Sequence, residues 1–108
     1  MIDRELAERA VVAEQVMWEV AQRALALWQR RAELSVEHKG LQDVVSQADR
    51  ELEALLRERL SRSFPDDAFF GEEFGGAPAA SLWLIDPIDG TANFLRGIPY
   101  WCCTVAWL

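Results

Sequence analysis

Two aspartates lie three residues apart in the segment LWLIDPIDGTANF, residues 82 to 94. Asp86 and Asp89 flank Pro87 directly after an apolar run, and two carboxylates on one tight turn repel each other at neutral pH. A divalent cation is the simplest compensation. Because Mg²⁺ prefers oxygen ligands, Asp86, Asp89 and the carbonyl of Ile88 are suited to hold it, with Mn²⁺ as an alternative ion.

A second acidic pair follows another short apolar stretch. Glu72 and Glu73 come after residues 68–70, which read as a strand. If this strand neighbours the one before Asp86, four carboxylates converge, and that density favours two metal ions of the kind used for phosphoryl transfer to water. Gly90-Thr91 would then supply free backbone N–H groups at a helix start, where a phosphate is favoured.

A purely structural interpretation stands beside this one. Asp-Pro and Asp-Gly are common turn dipeptides, so the pattern around Pro87 is also typical of a turn without chemistry. Asp49 likewise has the position of the acid in a capping box that begins at Ser46. The residues alone leave both alternatives open.

The elements that must position these groups follow from periodicity and turn signals. An amphipathic helix is predicted from Asp3 to about Arg31, with one apolar face formed by Leu6, Ala10, Ala13, Met17, Val20, Ala24 and Leu27. A second helix is predicted from near Ser46 to Phe64. The remaining predictions are strands at 34–37, 68–70, 81–85 and 104–108, and a short helix at 91–95. The strand at 81–85 is expected to be buried on both faces and to end at Asp86-Pro87.

Composition limits the class of protein. A chain of 108 residues is one domain at most, and 51% apolar residues, including five Trp and five Phe, supply a packed core. A net charge of −7 gives no basic surface for nucleic acid or an anionic membrane. The start lacks a signal-peptide pattern, and the adjacent Cys102 and Cys103 suit reduced thiols, so a cytoplasmic location is expected.

Residues 39–108 resemble the inositol monophosphatase family of Mg²⁺-dependent, lithium-sensitive phosphatases. The segments that carry the resemblance are KGLQDVVSQAD (39 to 49), FFGEE (69 to 73) and WLIDPIDGTANF (83 to 94), of which the last is highly specific. The resemblance implies an α/β (α+β) fold in which long helices pack on a mostly antiparallel sheet, the N-terminal part of the layered sugar-phosphatase fold. It also implies a small phosphorylated substrate.

The resemblance implies a role for each matching residue. The metal ligands would be Glu72, Asp86, Asp89 and the carbonyl of Ile88, with Asp86 bridging two ions. Thr91, polarised by a hydrogen bond to Asp49 and assisted by Glu72, would orient a metal-activated water for attack on phosphorus. The amides of Gly90 and Thr91 would hold phosphate oxygens. Glu73 and Lys39 would lie just outside the ligand set.

The sequence also departs from the family pattern. Members are longer, and a further aspartate in a Trp-Asp-x-Ala-Ala-Gly type motif completes their metal site, whereas the 108 residues contain no such motif. Residues 1–108 are therefore expected to be the N-terminal metal-binding portion of such a domain, with the C-terminal portion absent, and to form a homo-oligomer. Three functions stay open: a phosphatase for inositol monophosphate, a histidinol-phosphatase, which RGIPYWCCTVA resembles, or a non-catalytic half-domain that associates with another chain.

Overall fold

The computed structural model describes residues 3–37, 40–77 and 79–108. This part of the chain folds into helices packed on one side of a three-stranded sheet. The elements are α1 (Arg4–Gln29), α2 (Arg31–Glu37), α3 (Leu41–Ser63), β1 (Ala68–Gly71), β2 (Leu82–Asp89), α4 (Thr91–Arg96) and β3 (Cys102–Trp107). The sheet order is β1-β2-β3, with β1 parallel and β3 antiparallel to β2. The predicted combination of long helices with a sheet is confirmed.

Helix α1 begins and packs largely as its sequence predicts. The Asp3 side chain caps it by accepting a hydrogen bond from the Glu5 amide at 3.1 Å. Its buried residues are Val16, Val20, Ala24 and Leu27. The predicted apolar face is therefore confirmed in the C-terminal half of the helix, but Leu6 at the other end is 44% exposed.

Residues 34–37 are helical, so the predicted strand is wrong. They belong to α2, which continues directly from the end of α1, and the Leu34 amide donates to the Arg30 carbonyl at 2.9 Å. Gly40, which precedes α3, has a φ of 115°, a value that suits glycine. Lys39 lies outside the described residues.

Helix α3 starts five residues earlier than the capping box indicated. It begins at Leu41 with Gly40 as its N-cap, and Ser46 lies inside it, where the Ser46 hydroxyl accepts a hydrogen bond from Arg50 at 3.0 Å. Val44, Val45 and Ala48 are buried and extend the apolar face backwards, so burial continues the helix through the apparent cap. The capping role considered for Asp49 is thereby excluded.

Strand β2 runs past Pro87 to Asp89, four residues beyond Ile85, the last residue of the predicted strand. Asp86 pairs with Thr104, and Asp89 pairs with Cys102, so β2 has one more residue than β3 over this interval. This β-bulge accommodates Pro87, which has no N–H to donate to the ladder. Only one face of β2 is buried, because Trp83 and Ile85 are 1% and 2% exposed whereas Leu84 is 42% exposed.

The core lies between the helices and the inner face of the sheet. Leu52, Leu56 and Leu60 of α3 are fully buried in the same cluster as Trp83 and Ile85 of β2. A polar contact stabilises one end of this core. The Arg9 guanidinium donates to both carboxylate oxygens of Asp67 at 2.9 and 2.7 Å and lies 4.5 Å from the ring centre of Phe64.

The outer face of the sheet is apolar and exposed. Phe70, Leu84 and Leu108 on this face are 44%, 42% and 64% exposed, and Phe70 pairs with Leu84 across β1 and β2. Within the described residues, no helix has both the length and the apolar character needed to cross a membrane.

We expect this face to drive self-association of the 108-residue chain, since burying contiguous apolar surface is favourable. Leu84→Lys should lower the weight-average mass measured by sedimentation velocity and reduce binding of a hydrophobic dye. Gln22→Lys, which adds the same charge on the exposed side of α1, is the control. A wild-type chain that sediments as a monomer would contradict the expectation.

Candidate active site

The bulge in β2 places two carboxylates on one face of the sheet. Side chains alternate along a strand, so residues 86 and 89 of a regular strand would point to opposite faces. With one extra residue between them, Asp86 and Asp89 pair with Thr104 and Cys102, which are two residues apart and share a face. The sequence DPID thus forms a strand that presents both aspartates to the same side.

Glu72 lies next to these aspartates because β1 and β2 are parallel. Gly71, the last residue of β1, pairs with Ile85, so Glu72 follows β1 at the level where Asp86 follows Ile85. Reciprocal backbone hydrogen bonds between Gly71 and Gly75, at 3.2 and 2.8 Å, close residues 71–75 into a compact loop. Glu72 is exposed at the tip of this loop.

The acidic groups are close enough to affect one another. Burial, followed by the charges of Asp89 and Glu72, raises the pKa of Asp86 above its ordinary value. Burial also raises the pKa of Asp49 to about 7, with further contributions from the acidic residues Glu73, Asp86, Glu72 and Glu53. Negative charge therefore accumulates where β1, β2 and α3 meet.

The carboxylates do not form a closed ligand cage. In the described ranges, no three His, Cys, Asp or Glu side chains lie together in an arrangement ready to hold a metal ion. The donor chemistry nevertheless fits a hard divalent cation, because Asp86 and Asp89 of β2 and Glu72 of the loop after β1 all offer carboxylate oxygens. A bound cation would relieve the mutual repulsion that, after burial, contributes to the raised pKa of Asp49 and of Asp86.

Thr91 and Asp49 face a common cavity. An open cavity of about 750 Å³ is lined by residues of α3 and α4, including Ser46, Asp49 and Thr91. The Thr91 hydroxyl donates to the carbonyl oxygen of Ile88 at 3.2 Å. The hydrogen bond from Thr91 to Asp49 that the resemblance implied is therefore replaced here by a bond to the carbonyl expected to bind metal.

Gly90 fixes the turn from β2 into α4. Its φ of 90° lies in the left-handed region, and a Cβ at this position would approach the Tyr100 carbonyl oxygen to 3.1 Å. The carbonyl of Tyr100 also accepts a hydrogen bond from the Asn93 side chain at 2.8 Å. The segment after α4 is thereby held against the start of that helix.

A second cavity, of about 400 Å³, lies on the other side of this turn. It is lined by Asp89, Gly90, Asn93, Pro99, Tyr100, Trp101 and Cys102. Tyr100 is 79% exposed at its edge. The step from Asp89 to Thr91 thus has one cavity on each side, one acidic and one with aromatic walls.

Comparison with known proteins identifies the family. A model of the inositol monophosphatase family matches residues 5–108. The chain belongs to this family. It is 47% identical over 76 residues to an inositol-1-monophosphatase from Rhizobium meliloti, and this match covers 68% of this chain and 29% of the relative. It is 48% identical over 75 residues to a histidinol-phosphatase from Streptomyces coelicolor, which covers 68% of this chain and 28% of that relative.

Solved structures of the inositol monophosphatase family agree with the architecture. The Mycobacterium tuberculosis SuhB structure matches with a TM-score of 0.67 and 35% identity, and the match covers 94% of this chain and 35% of that one. The chain spans between 28% and 31% of the length of the first three curated relatives it matches. The two relatives named above, from Rhizobium meliloti and Streptomyces coelicolor, are both phosphatases by name.

The structure brings together most of the residues to which the family resemblance gave a role. Asp86, Asp89 and Glu72 share one region, while Gly90 and Thr91 begin α4 beside them. The backbone amide of Glu73 is directed towards α3, where it donates to Glu53 at 3.1 Å. The expected position of Lys39 lies outside the described residues.

Glu53 is the polar residue that the sequence reasoning missed. It is fully buried, yet it stands on the face of α3 that carries Leu56 and Leu60, three and seven residues further on. An acidic residue in register with an apolar face is the signal that could have identified it. Buried acids of this kind are retained only where partners satisfy their charge.

The raised pKa of Asp49 predicts an unusual dependence of stability on pH. Its pKa is about 7 in the folded chain and 3.8 in an unfolded one, so the folded state binds an extra proton between these values. The free energy of unfolding should therefore fall as the pH rises from 3.8 to about 7. Asp49→Asn should be the more stable protein at pH 8, by on the order of 1 kcal/mol after solvent screening, and nearly equal to wild type at low pH.

Urea denaturation of wild type and Asp49→Asn over this pH range measures the difference. The exposed Asp66→Asn is the control for loss of a carboxylate. Parallel pH profiles for wild type and Asp49→Asn would show that Asp49 titrates normally.

Proposed function

We propose that this chain forms the metal- and phosphate-binding part of a phosphatase that uses Mg²⁺, or Mn²⁺, to hydrolyse a small phosphate monoester, with inositol monophosphate as the favoured substrate. The observation that carries the proposal is the placement of Glu72, Asp86 and Asp89 at one end of the sheet, where the parallel pairing of β1 with β2 and the bulge in β2 bring them together beside the start of α4. Such crowding costs stability unless a cation is present, so its concentration at one end of the sheet supports a site for metal and substrate.

The residues that would hold the metal are Glu72, Asp86, Asp89 and the carbonyl of Ile88. All four donors are oxygens, which suits a hard cation. Mg²⁺ bound there would lower the pKa of a water and neutralise charge on the phosphate. The protein contributes the backbone that holds the carboxylates at one level across β1 and β2.

Thr91 and Asp49 would handle the proton of the attacking water. The Asp49 carboxylate would accept a hydrogen bond from the Thr91 hydroxyl and so orient that hydroxyl towards the attacking water. It lines the same cavity as the Thr91 hydroxyl, so rotation of Thr91 away from the Ile88 carbonyl would direct this hydroxyl into the space they share. Glu72 would assist from the loop after β1.

The turn at Gly90 would bind the phosphate. The first backbone N–H groups of a helix have no acceptor within it, and α4 begins at Thr91 with Gly90 as its N-cap. The amides of Gly90 and Thr91 would therefore donate to phosphate oxygens next to the carboxylates. The aromatic-walled cavity around Tyr100 and Trp101 would receive the alcohol part of the substrate.

Histidinol phosphate is the second candidate substrate. The 48% identical relative from Streptomyces coelicolor is named a histidinol-phosphatase, and Tyr100 and Trp101 belong to the RGIPYW segment and line the cavity. An aromatic wall suits an imidazole ring by stacking as well as the apolar edge of a cyclic polyol.

Grafts test the function directly, since the chain spans 29% and 28% of these two relatives. Residues 5–108 would replace the matching segment in each relative, and phosphate release would be measured with both substrates. We expect hydrolysis by both grafts that depends on Mg²⁺. If both grafts prefer the same substrate, residues 5–108 determine that preference. Two well-folded but inactive grafts would overturn the proposal.

Removal of two aspartates should abolish metal binding. Asp86→Asn with Asp89→Asn eliminates two of the proposed ligands and much of the negative charge, so the heat of Mn²⁺ binding in calorimetric titration should fall to the level of dilution. The control is Asp66→Asn with Glu51→Gln, which removes the same charge from exposed positions. Equal heats for wild type and the Asp86/Asp89 variant would refute the metal site.

Removal of the Thr91 hydroxyl should slow the chemical step. In an active graft, Thr91→Ala should lower kcat by roughly 10²-fold with little change in KM, because a group that orients the attacking water acts mainly in the transition state. Thr91→Ser, which keeps the hydroxyl, should retain most of the turnover. Wild-type turnover in Thr91→Ala would remove the Asp49–Thr91 pair from the mechanism.

A further inference from the structure

Glu53 lies inside the core but reaches the loop that carries Glu72. Its side chain has no exposed surface, and its two carboxylate oxygens accept hydrogen bonds from the amides of Glu73 at 3.1 Å and Phe74 at 2.9 Å. These amides are successive in the chain and point into the loop, which is the arrangement that proteins use to bind anions. Here the anion is a side chain of α3.

Arg57 completes the contact from the next turn of α3. Its guanidinium donates to the Glu53 carboxylate at 3.2 Å and also to the backbone carbonyl of Gly75. Glu53 thus holds the middle of the loop 71–75 and Arg57 holds its end. Both side chains come from one rigid helix, so the loop has little freedom to move relative to α3.

The lack of a side chain at Gly71 leaves room for this contact. A Cβ at position 71 would lie 2.3 Å from one carboxylate oxygen of Glu53 and 2.8 Å from the other. Any larger residue at the end of β1 would displace the carboxylate from the loop. The absence of a side chain at Gly71 is therefore what allows Glu53 to reach the amides of residues 73 and 74.

A buried charge is an expensive way to stabilise a loop. Replacing buried ion pairs with apolar residues is often neutral or stabilising, so the pair of Glu53 and Arg57 is poorly explained by stability alone. Groups that fix the orientation of metal ligands, in contrast, typically change metal affinity by about 10- to 100-fold when they are removed. Glu72 is the residue between the end of β1 and the amides that Glu53 binds.

We propose that Glu53 is a positioning residue that, together with Arg57, fixes the loop 71–75 and thereby aims the Glu72 carboxylate at Asp86. The inference rests on the proposed function, because it assumes that Glu72 binds the metal. It adds a residue from the core of α3 that touches neither metal nor substrate and acts only through the backbone of the loop.

The test compares Mn²⁺ affinity in two variants of opposite charge change. Glu53→Gln removes a negative charge, and its amide group would face a backbone donor, so Mn²⁺ should bind about 10- to 100-fold more weakly. Arg57→Gln removes a positive charge, which by electrostatics alone would strengthen cation binding. If the pair positions Glu72, Arg57→Gln should also weaken Mn²⁺ binding, by at least about threefold.

Hydrogen exchange supplies a readout that needs neither metal nor activity. In the metal-free protein, the amides of Glu73 and Phe74 should exchange at least about tenfold faster in Glu53→Gln than in wild type. Glu51→Gln, which removes the same charge two residues earlier at an exposed position of α3, should change neither exchange nor Mn²⁺ affinity. Far-UV circular dichroism verifies that each variant keeps its helices.

The outcomes separate this inference from the proposed function. If Glu72→Gln weakens Mn²⁺ binding while Glu53→Gln and Arg57→Gln bind as wild type, Glu53 is not a positioning residue although the metal site stands. If Glu72→Gln itself binds Mn²⁺ as wild type does, the proposed metal site fails and this inference fails with it. Should Glu53→Gln not fold, stronger or unchanged binding by Arg57→Gln is sufficient to overturn the inference.

Discussion

The packing of α3 against β2 is the constraint on which the rest of the structure depends. Leu52, Leu56 and Leu60 share a buried cluster with Trp83 and Ile85, and this contact removes the largest apolar side chains of both elements from water. It also fixes where the polar residues of both elements lie. Asp49 and Glu53 occupy the same helix one turn apart, so the burial of its leucines determines how close these acids come to the ends of the strands.

Helix α3 therefore supplies both the apolar contacts of the core and two of the acids beside it. The hydrophobic contacts of α3 hold its backbone in place with enough free energy to tolerate a carboxylate whose pKa is raised to about 7 and another that is fully buried. Unfavourable carboxylate environments of this kind persist where the surrounding packing holds the structure firmly in place. They are concentrated at sites that bind ligands. The acidic region therefore depends on the core next to it.

Much of this arrangement could be predicted from the sequence because the signals were local. The periodic apolar residues predicted α1, and the apolar run at residues 81–85 predicted β2. The predicted end at Asp86-Pro87 was wrong because a bulge accommodates Pro87, and the predicted burial on both faces was wrong because Leu84 is exposed. The capping-box pattern at Ser46 gave a false helix start, since burial of Val44 and Val45 outweighs a local capping preference. Glu53 was missed because its partners, the amides of residues 73 and 74, are twenty residues away and carry no side-chain signature.

The extra residue in β2 determines on which face of the sheet the second aspartate lies. Asp86 and Asp89 face the same way only because an odd separation in sequence is converted into an even one in the ladder. Loss or gain of a single residue between the two aspartates would turn Asp89 towards the helices. The number of residues in this part of β2 is therefore constrained as strictly as the identity of the aspartates themselves.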